Sequence, residues 1–177
     1  RTEGCTTGAM DEAARNGHLP VVEFLHANRT EGCTKDAMDL SARSGHLSVV
    51  EFLHANRTEG CRKAMDWAAE FGHMSVVEFL HANRTEGCTT GAMDEAARNG
   101  HLPVVEFLHA NRTEGCTKDA MDYGEFSVVE FLHAHRTEGC TTRAMDSAVE
   151  HGKLSVLEWL HANRTEGCTT EAMDEAA

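Results

Sequence analysis

An all-α solenoid of stacked helix-turn-helix repeats is the fold class that this chain of 177 residues predicts, and three observations predict it. The pentapeptide RTEGC starts at Arg1, Arg29, Arg57, Arg84, Arg112, Arg136 and Arg164, so the chain repeats every 28 residues, with one spacing of 27 and one of 24. Self-similarity at such a period marks a stacked repeat architecture. Each unit carries the same short apolar set, which two short helices cannot bury between themselves and must bury against the copies before and after. Each unit also reads as two helical stretches divided by a glycine. The chain therefore parses as one repeat array over 1–177, with units 1–28, 29–56, 57–83, 84–111, 112–135 and 136–163 and a partial unit at 164–177.

Taking the first unit in order, Ala9, Met10, Ala13 and Ala14 form one stripe of a short helix, helix A. Thr7 or its successor can cap it, and Asp11 in the first turn complements the positive end of its dipole. Gly17 stops it, being the residue that most readily takes a left-handed backbone. Helix B follows with Val21, Val22, Phe24 and Leu25 as its apolar face. Most copies open it with Ser-x-x-Glu, as in Ser48 to Glu51, which reads as a capping box; Pro20 and Pro103 replace that Ser in two copies and suit a helix start equally. Helix B ends near Asn28, and HANRTEGC becomes the joint to the next unit. Helices of about ten residues are marginal alone in water, so stacking is what folds them.

The 29 acidic and 16 basic side chains leave a formal charge of -13, which argues against nucleic acid, whose affinity rests on Lys and Arg neutralising phosphates. No run approaches the ~18 apolar residues of a membrane helix, so membrane insertion is not expected. The seven cysteines come one per unit, at Cys5, Cys33, Cys61, Cys88, Cys116, Cys140 and Cys168. Units stacked at the ~8–10 Å spacing of packed helices hold neighbouring Cys Cα atoms beyond the ~7 Å that a disulfide spans. Free thiols and a cytoplasmic, reducing compartment are the expectation. The partial unit is expected to continue into a longer array.

At AMDEAARNGHLPVVEFLHAN the unit resembles the ankyrin repeat, with its T-P-L-H-x-A-A-x-x-G-H pattern and apolar second helix. Ala13-Ala14 and Gly17-His18 match, and Phe24-Leu25 stands for the usual Leu pair. Asp11 replaces the family's His in the first turn, and the five residues missing from the 33-residue family period fall where ankyrin repeats carry a β-hairpin. The resemblance implies short, divergent ankyrin-like repeats whose hairpins have shrunk to the RTEGC turn. It also implies a protein partner, no cofactor and no enzymatic activity, with the helix-A face lining the binding groove and His18, His46, His73 and His101 tying the turn between the two helices.

Several motifs suggest chemistry. Glu23-x-x-His26 recurs as Glu51/His54, Glu78/His81, Glu106/His109, Glu130/His133 and Glu158/His161, the i, i+3 geometry of di-iron carboxylate sites. Stacked units would set these pairs in a row on an outer face, so a solvated ridge rather than a metal site is expected. No Cys-x-x-Cys exists, and every unit has both Cys and His, which leaves no special copy for a catalytic pair. Asn-Arg-Thr at Asn28, Asn56, Asn83, Asn111 and Asn163 is a glycosylation sequon, of consequence if the chain is secreted.

Comparison of the units is more informative. Positions 8, 12 and 16 of the unit change freely along helix A, reading Gly8/Glu12/Asn16, Asp36/Leu40/Ser44, Lys63/Trp67/Phe71, Gly91/Glu95/Asn99, Asp119/Tyr123 and Arg143/Ser147/His151. Large apolar residues on a face that should be wet are the usual interface anchors. Leu40, Lys63, Trp67, Phe71, Asp119, Tyr123 and Arg143 are therefore the candidate partner-binding residues. Residues 1–39 recur letter for letter as 84–122, a block duplication. The unit 112–135 lacks four residues, close to one helical turn, so its helix A should lose a turn with Tyr123 and Phe126 filling the space, at a kink or soft point.

A protein-binding scaffold is the expected role. Its alternative is a structural filament built by end-to-end self-association of uncapped units. Sedimentation separates them: the scaffold gives one discrete species, the filament a distribution that grows with concentration.

Overall fold

The computed structural model describes residues 6–61 and 63–170. Contacts group the chain into two compact units, Arg1–Cys88 and Thr89–Ala177, each holding three helical pairs. In the first, the A helices are α1 (Thr7–Arg15), α3 (Lys35–Arg43) and α5 (Ala64–Glu70), and the B helices are α2 (Leu19–Asn28), α4 (Leu47–Asn56) and α6 (Met74–Asn83). In the second, the A helices are α7 (Thr90–Arg98), α9 (Asp119–Asp122) and α11 (Arg143–Glu150), and the B helices are α8 (Leu102–Asn111), α10 (Phe126–His135) and α12 (Leu154–Asn163). No strand occurs among the described residues, and RTEGC is a turn. Cys5 and the A helix expected in the partial unit beyond residue 170 lie outside them.

Each unit is a layer of A helices beside a layer of B helices. The A helices approach closely because their inner face is small: Ala13, Ala14, Ala37, Ala42, Ala68 and Ala69 are buried. Met10, Met38, Met65, Met93 and Met121 fill the remaining space as flexible, fully enclosed side chains. From α4 to α10 the B helices contribute the paired valines and the Leu of FLH, among them Val49, Val50, Leu53, Val104, Val105 and Leu108, while α2 buries Val22 and α12 buries Val156 and Leu160.

The turn between A and B is closed as the glycine suggests. In the second repeat the Gly45 N–H donates to Ala42 O at 3.1 Å and the His46 N–H to Ser41 O at 3.0 Å, the two bonds of a Schellman motif. Gly45 takes φ +75°, a left-handed backbone that side chains resist. Helix B then begins at once, with His46 as its N-cap and no side-chain capping bond. The Ser-x-x-Glu capping box is thus corrected: Ser48 sits inside the first turn of α4, because the glycine turn delivers the chain into the helix two residues early.

The cap of helix A also moves, from Thr7 to the preceding Thr. Thr34 Oγ1 accepts from the Asp36 N–H at 3.1 Å, and Thr89 Oγ1 accepts likewise from Gly91. The same column of threonines does a second job. Thr34 donates its N–H and its hydroxyl to the two carboxylate oxygens of Asp11, one repeat earlier, at 2.8 and 2.9 Å. Thr117 does so to Asp94 at 2.8 and 2.9 Å, and Thr141 to Asp122 at 2.6 and 2.6 Å. The Lys63 N–H reaches Asp39 and the Thr169 N–H reaches Asp146. The first-turn Asp is therefore an inter-repeat staple rather than only a dipole complement.

Asp94→Ala removes both bonds to Thr117 and leaves that cap without its partner. The expected cost is about 1–3 kcal/mol in chemical denaturation, against less than about 0.5 kcal/mol for the exposed Glu12→Ala.

Candidate functional site

Two surfaces could do work: the RTEGC joints and the A-helix face. At five of the joints the Arg pairs with the Glu two residues on, as Arg57–Glu59, Arg84–Glu86, Arg112–Glu114, Arg136–Glu138 and Arg164–Glu166. The Thr between them donates its N–H to the same carboxylate, at 2.9 Å for Thr58 and 3.1 Å for Thr85. The Arg57 guanidinium also lies over Gly32 and bonds the Cys33 thiol of the preceding repeat. Arg136 does the same over Gly115 and beside Cys116, and Arg164 over Gly139 and beside Cys140. Gly32 takes φ +74°, a left-handed backbone that side chains resist, which explains why the motif keeps glycine.

The joint settles its own electrostatics. Burial first, and then the Glu59 carboxylate, push the Cys33 thiol up to about 11. Cys61 and Cys116 rise to about 11 for the same reasons, burial first, then Glu86 and Glu138. The six cysteines among the described residues are all free. Held protonated, Cys33, Cys61 and Cys116 are poor nucleophiles. Conversely the Arg84 hydrogen bond holds the Glu86 carboxyl down at about 2, and the Arg136 and Arg164 bonds lower Glu138 and Glu166. In Glu59 burial opposes the shift and Arg57 prevails, so it too is lowered.

In the Glu-x-x-His pairs the Glu is exposed, as expected of a solvated ridge, but the His meets a ring of the next repeat. His26 meets Phe52 of the next repeat edge-on, with ring centroids 5.4 Å apart, and His54 meets Phe79 at 5.5 Å. His109 meets Phe131 at 5.5 Å and His133 meets Trp159 at 4.9 Å. The wider gap between B helices needs a large ring, and the His supplies it. No group of three or more His, Cys, Asp or Glu poised to hold a metal occurs among the described residues.

The Gly-His imidazoles also differ from expectation. His46 packs its ring on Gly17 and His73 packs on Gly45, each in the preceding repeat, and His73 Nε2 lies 3.0 Å from Arg43 O. They tie one repeat to the previous one, not their own turn. The sequon residues Asn28, Asn56, Asn83, Asn111 and Asn163 are exposed at the ends of B helices, and each donates its Nδ2 to the carbonyl four residues back, at 2.8–2.9 Å.

On the A face the candidates fall into one group per unit. In the first, Trp67 is half-buried beside two cations, with Arg43 5.6 Å and Lys63 5.6 Å from its ring centroid. Arg43 also lies 5.0 Å from the Phe71 ring, which stacks on His73 and is 41% exposed. Leu40 is half-buried on α3, one turn before Arg43. In the second unit Tyr123 lies under Arg98 at 4.7 Å, Asp119 is exposed in the single-turn helix α9, and Arg143 is exposed at the start of α11. The sequence reading missed Arg43 and Arg98. Both close an A helix, where a cation is explained by the dipole alone; only the spacing of one repeat to the next aromatic signals a second role.

The ankyrin-repeat profile, described as Ankyrin repeats (many copies), matches residues 10–54 and 59–109, more than half of the chain. The chain is an ankyrin-repeat protein. A solved structure titled as EF0377, an ankyrin repeat protein, superposes with a TM-score of 0.62 at 15% identity, over 92% of this chain and 100% of that one. No curated protein matches in sequence. Ankyrin repeats are in general protein–protein interaction modules and non-enzymatic scaffolds. None of the described helices of this ankyrin array is long and apolar enough to cross a membrane.

The Arg–Glu pairs make stability pH-dependent with a definite sign. A carboxyl lowered in the folded state stabilises above its unfolded value of about 4.3, and the contribution is lost as pH falls towards the folded value. Asp94, raised mainly by burial against the bonds from Thr117, has the opposite sign and offsets part of this. The denaturation midpoint should hold level from neutral pH to about 5 and then fall towards pH 2, the folded value of Glu86. Glu86→Gln should lower the neutral plateau and shrink the fall.

Proposed function

We propose that this ankyrin array captures a protein partner on its A-helix face, through Leu40, Lys63, Trp67 and Phe71 in the first unit and Asp119, Tyr123 and Arg143 in the second. The observation that carries the reading is Trp67 with both Arg43 and Lys63 against its ring and Phe71 open beside it. Two aromatic rings are held on a surface by cations that cost the protein little to keep there, so their shape is set before a partner arrives. Preorganised aromatics with a charged rim are what interface anchors consist of. The protonated free thiols support a reducing, cytoplasmic setting, in which the sequons stay unmodified.

Trp67→Ala and Phe71→Ala should each weaken capture of the partner from the native source by about tenfold or more. Their unfolding free energies should stay within about 1 kcal/mol of the parent, as for surface residues. Glu106→Gln on helix B should change neither. A large loss of stability with capture intact would assign both rings to the core and overturn the reading.

A further inference from the structure

The shortened repeat leaves a hole. Because α9 is only the single turn Asp119–Asp122, the A layer of the second unit is missing a turn between α7 and α11. Tyr123 and Phe126 do not fill the space, as the sequence reading expected: both stay half-buried, and a cavity of about 530 Å³ opens beside Tyr123. Its walls are Arg98 from the repeat before, Ser147, His151 and Lys153 from the repeat after, and Tyr123 and Glu125 from the shortened repeat itself. That volume lies in the range of a side-chain or small-ligand site.

The polar groups in it are already sorted. Lys153 Nζ sits 3.0 Å from Glu125 Oε1 and donates to Tyr123 O at 3.2 Å, so Glu125 is neutralised. His151 Nδ1 donates to Ser147 O at 2.9 Å, which fixes the ring and leaves Nε2 as its other edge. Arg98 is steadied over the Tyr123 ring and touched by Glu95 through Nη1 only, at 3.3 Å, with about half its side chain open. A cationic occupant would meet Arg98 and Lys153. An anionic one would meet a guanidinium whose fork can take a carboxylate, and a positioned imidazole.

We propose that this cavity is a specificity pocket for an acidic side chain, Asp or Glu, presented by the partner polypeptide. The inference rests on the proposed protein-binding role but uses its own residues. Arg98 engages the carboxylate, Lys153 and Glu125 form the closed floor, and Tyr123 walls the aliphatic stem.

The test is a random peptide library selected on the intact 177-residue chain. Recovered sequences should share Asp or Glu at one position. Replacing it with Asn or Gln should weaken binding by about tenfold or more, as should Arg98→Glu, a change at an exposed site that spares the fold. His151→Ala should weaken it less, and the exposed helix-B change Glu106→Gln should leave the acidic peptide's affinity unchanged. The proposal is overturned if no peptide is recovered, if the recovered set shows no acidic position, or if acidic peptides bind the Arg98→Glu chain equally well. Peptides that lose affinity with Trp67→Ala but not with Arg98→Glu would leave the A-face reading standing and remove the pocket alone.

Discussion

Nothing in one repeat is finished without its neighbour, and the bond that shows this most directly joins the first-turn Asp of one A helix to the capping Thr of the next. A helix start needs an acceptor for its orphan N–H groups, and Thr34 provides it by accepting from Asp36. Its own N–H and hydroxyl proton then need acceptors, and both find them on Asp11. One hydroxyl thus serves its own helix as acceptor and the preceding repeat as donor. At Thr34, Thr117 and Thr141 the cap is held by the repeat before, which couples helix formation to stacking and gives short helices the cooperativity they lack alone.

The other junction contacts obey the same rule with different chemistry. Close to the A layer the link is an imidazole laid on a glycine, as His46 lies on Gly17. Across the wider B layer it is an imidazole edge on a phenyl ring, as with His26 and Phe52. At the joint it is a guanidinium laid over a glycine and a thiol, held flat by the Glu two residues on. The polar side chains that vary least between units are therefore spent on neighbours. What remains for a partner is the A-helix face, where Trp67, Phe71 and Tyr123 sit with cations drawn from adjacent repeats.

The fold was legible because its two causes are periodic: the apolar set marks the helices, and the glycines mark the turns. Contacts between repeats were not, since a residue read within its own unit is explained by the nearest local need. Asp11 was credited to the dipole, the Ser48 column to a capping box and His26 to a solvated ridge, each a sufficient local account. The Asp had carried a signal, as it departs from the family's His in every copy, and a polar residue kept at a junction asks for a partner one period away. The stripe of candidate residues was legible as positions. The cations that hold its rings were not, because Arg43 and Trp67 belong to different repeats.

The shortened repeat shows which of these links the architecture requires. Its missing turn comes from the C-terminal half of helix A, taking with it the Ala pair and the Gly-His contact. Glu125 now occupies the His position, lies against Gly100 and donates its N–H to Ala97 O at 3.2 Å. One repeat on, Lys153 takes the same position and pairs with Glu125. An ion pair has replaced an imidazole, and stacking continues. The staple is untouched on both sides: Thr117 still bonds Asp94, and Thr141 bonds the nearly enclosed Asp122. A deletion that reached the first turn of α9 would instead have removed Asp122 and left the cap of α11 without its acceptor. The array therefore tolerates change at the end of helix A, where contacts are exchangeable, and a cavity has opened at that exchangeable end.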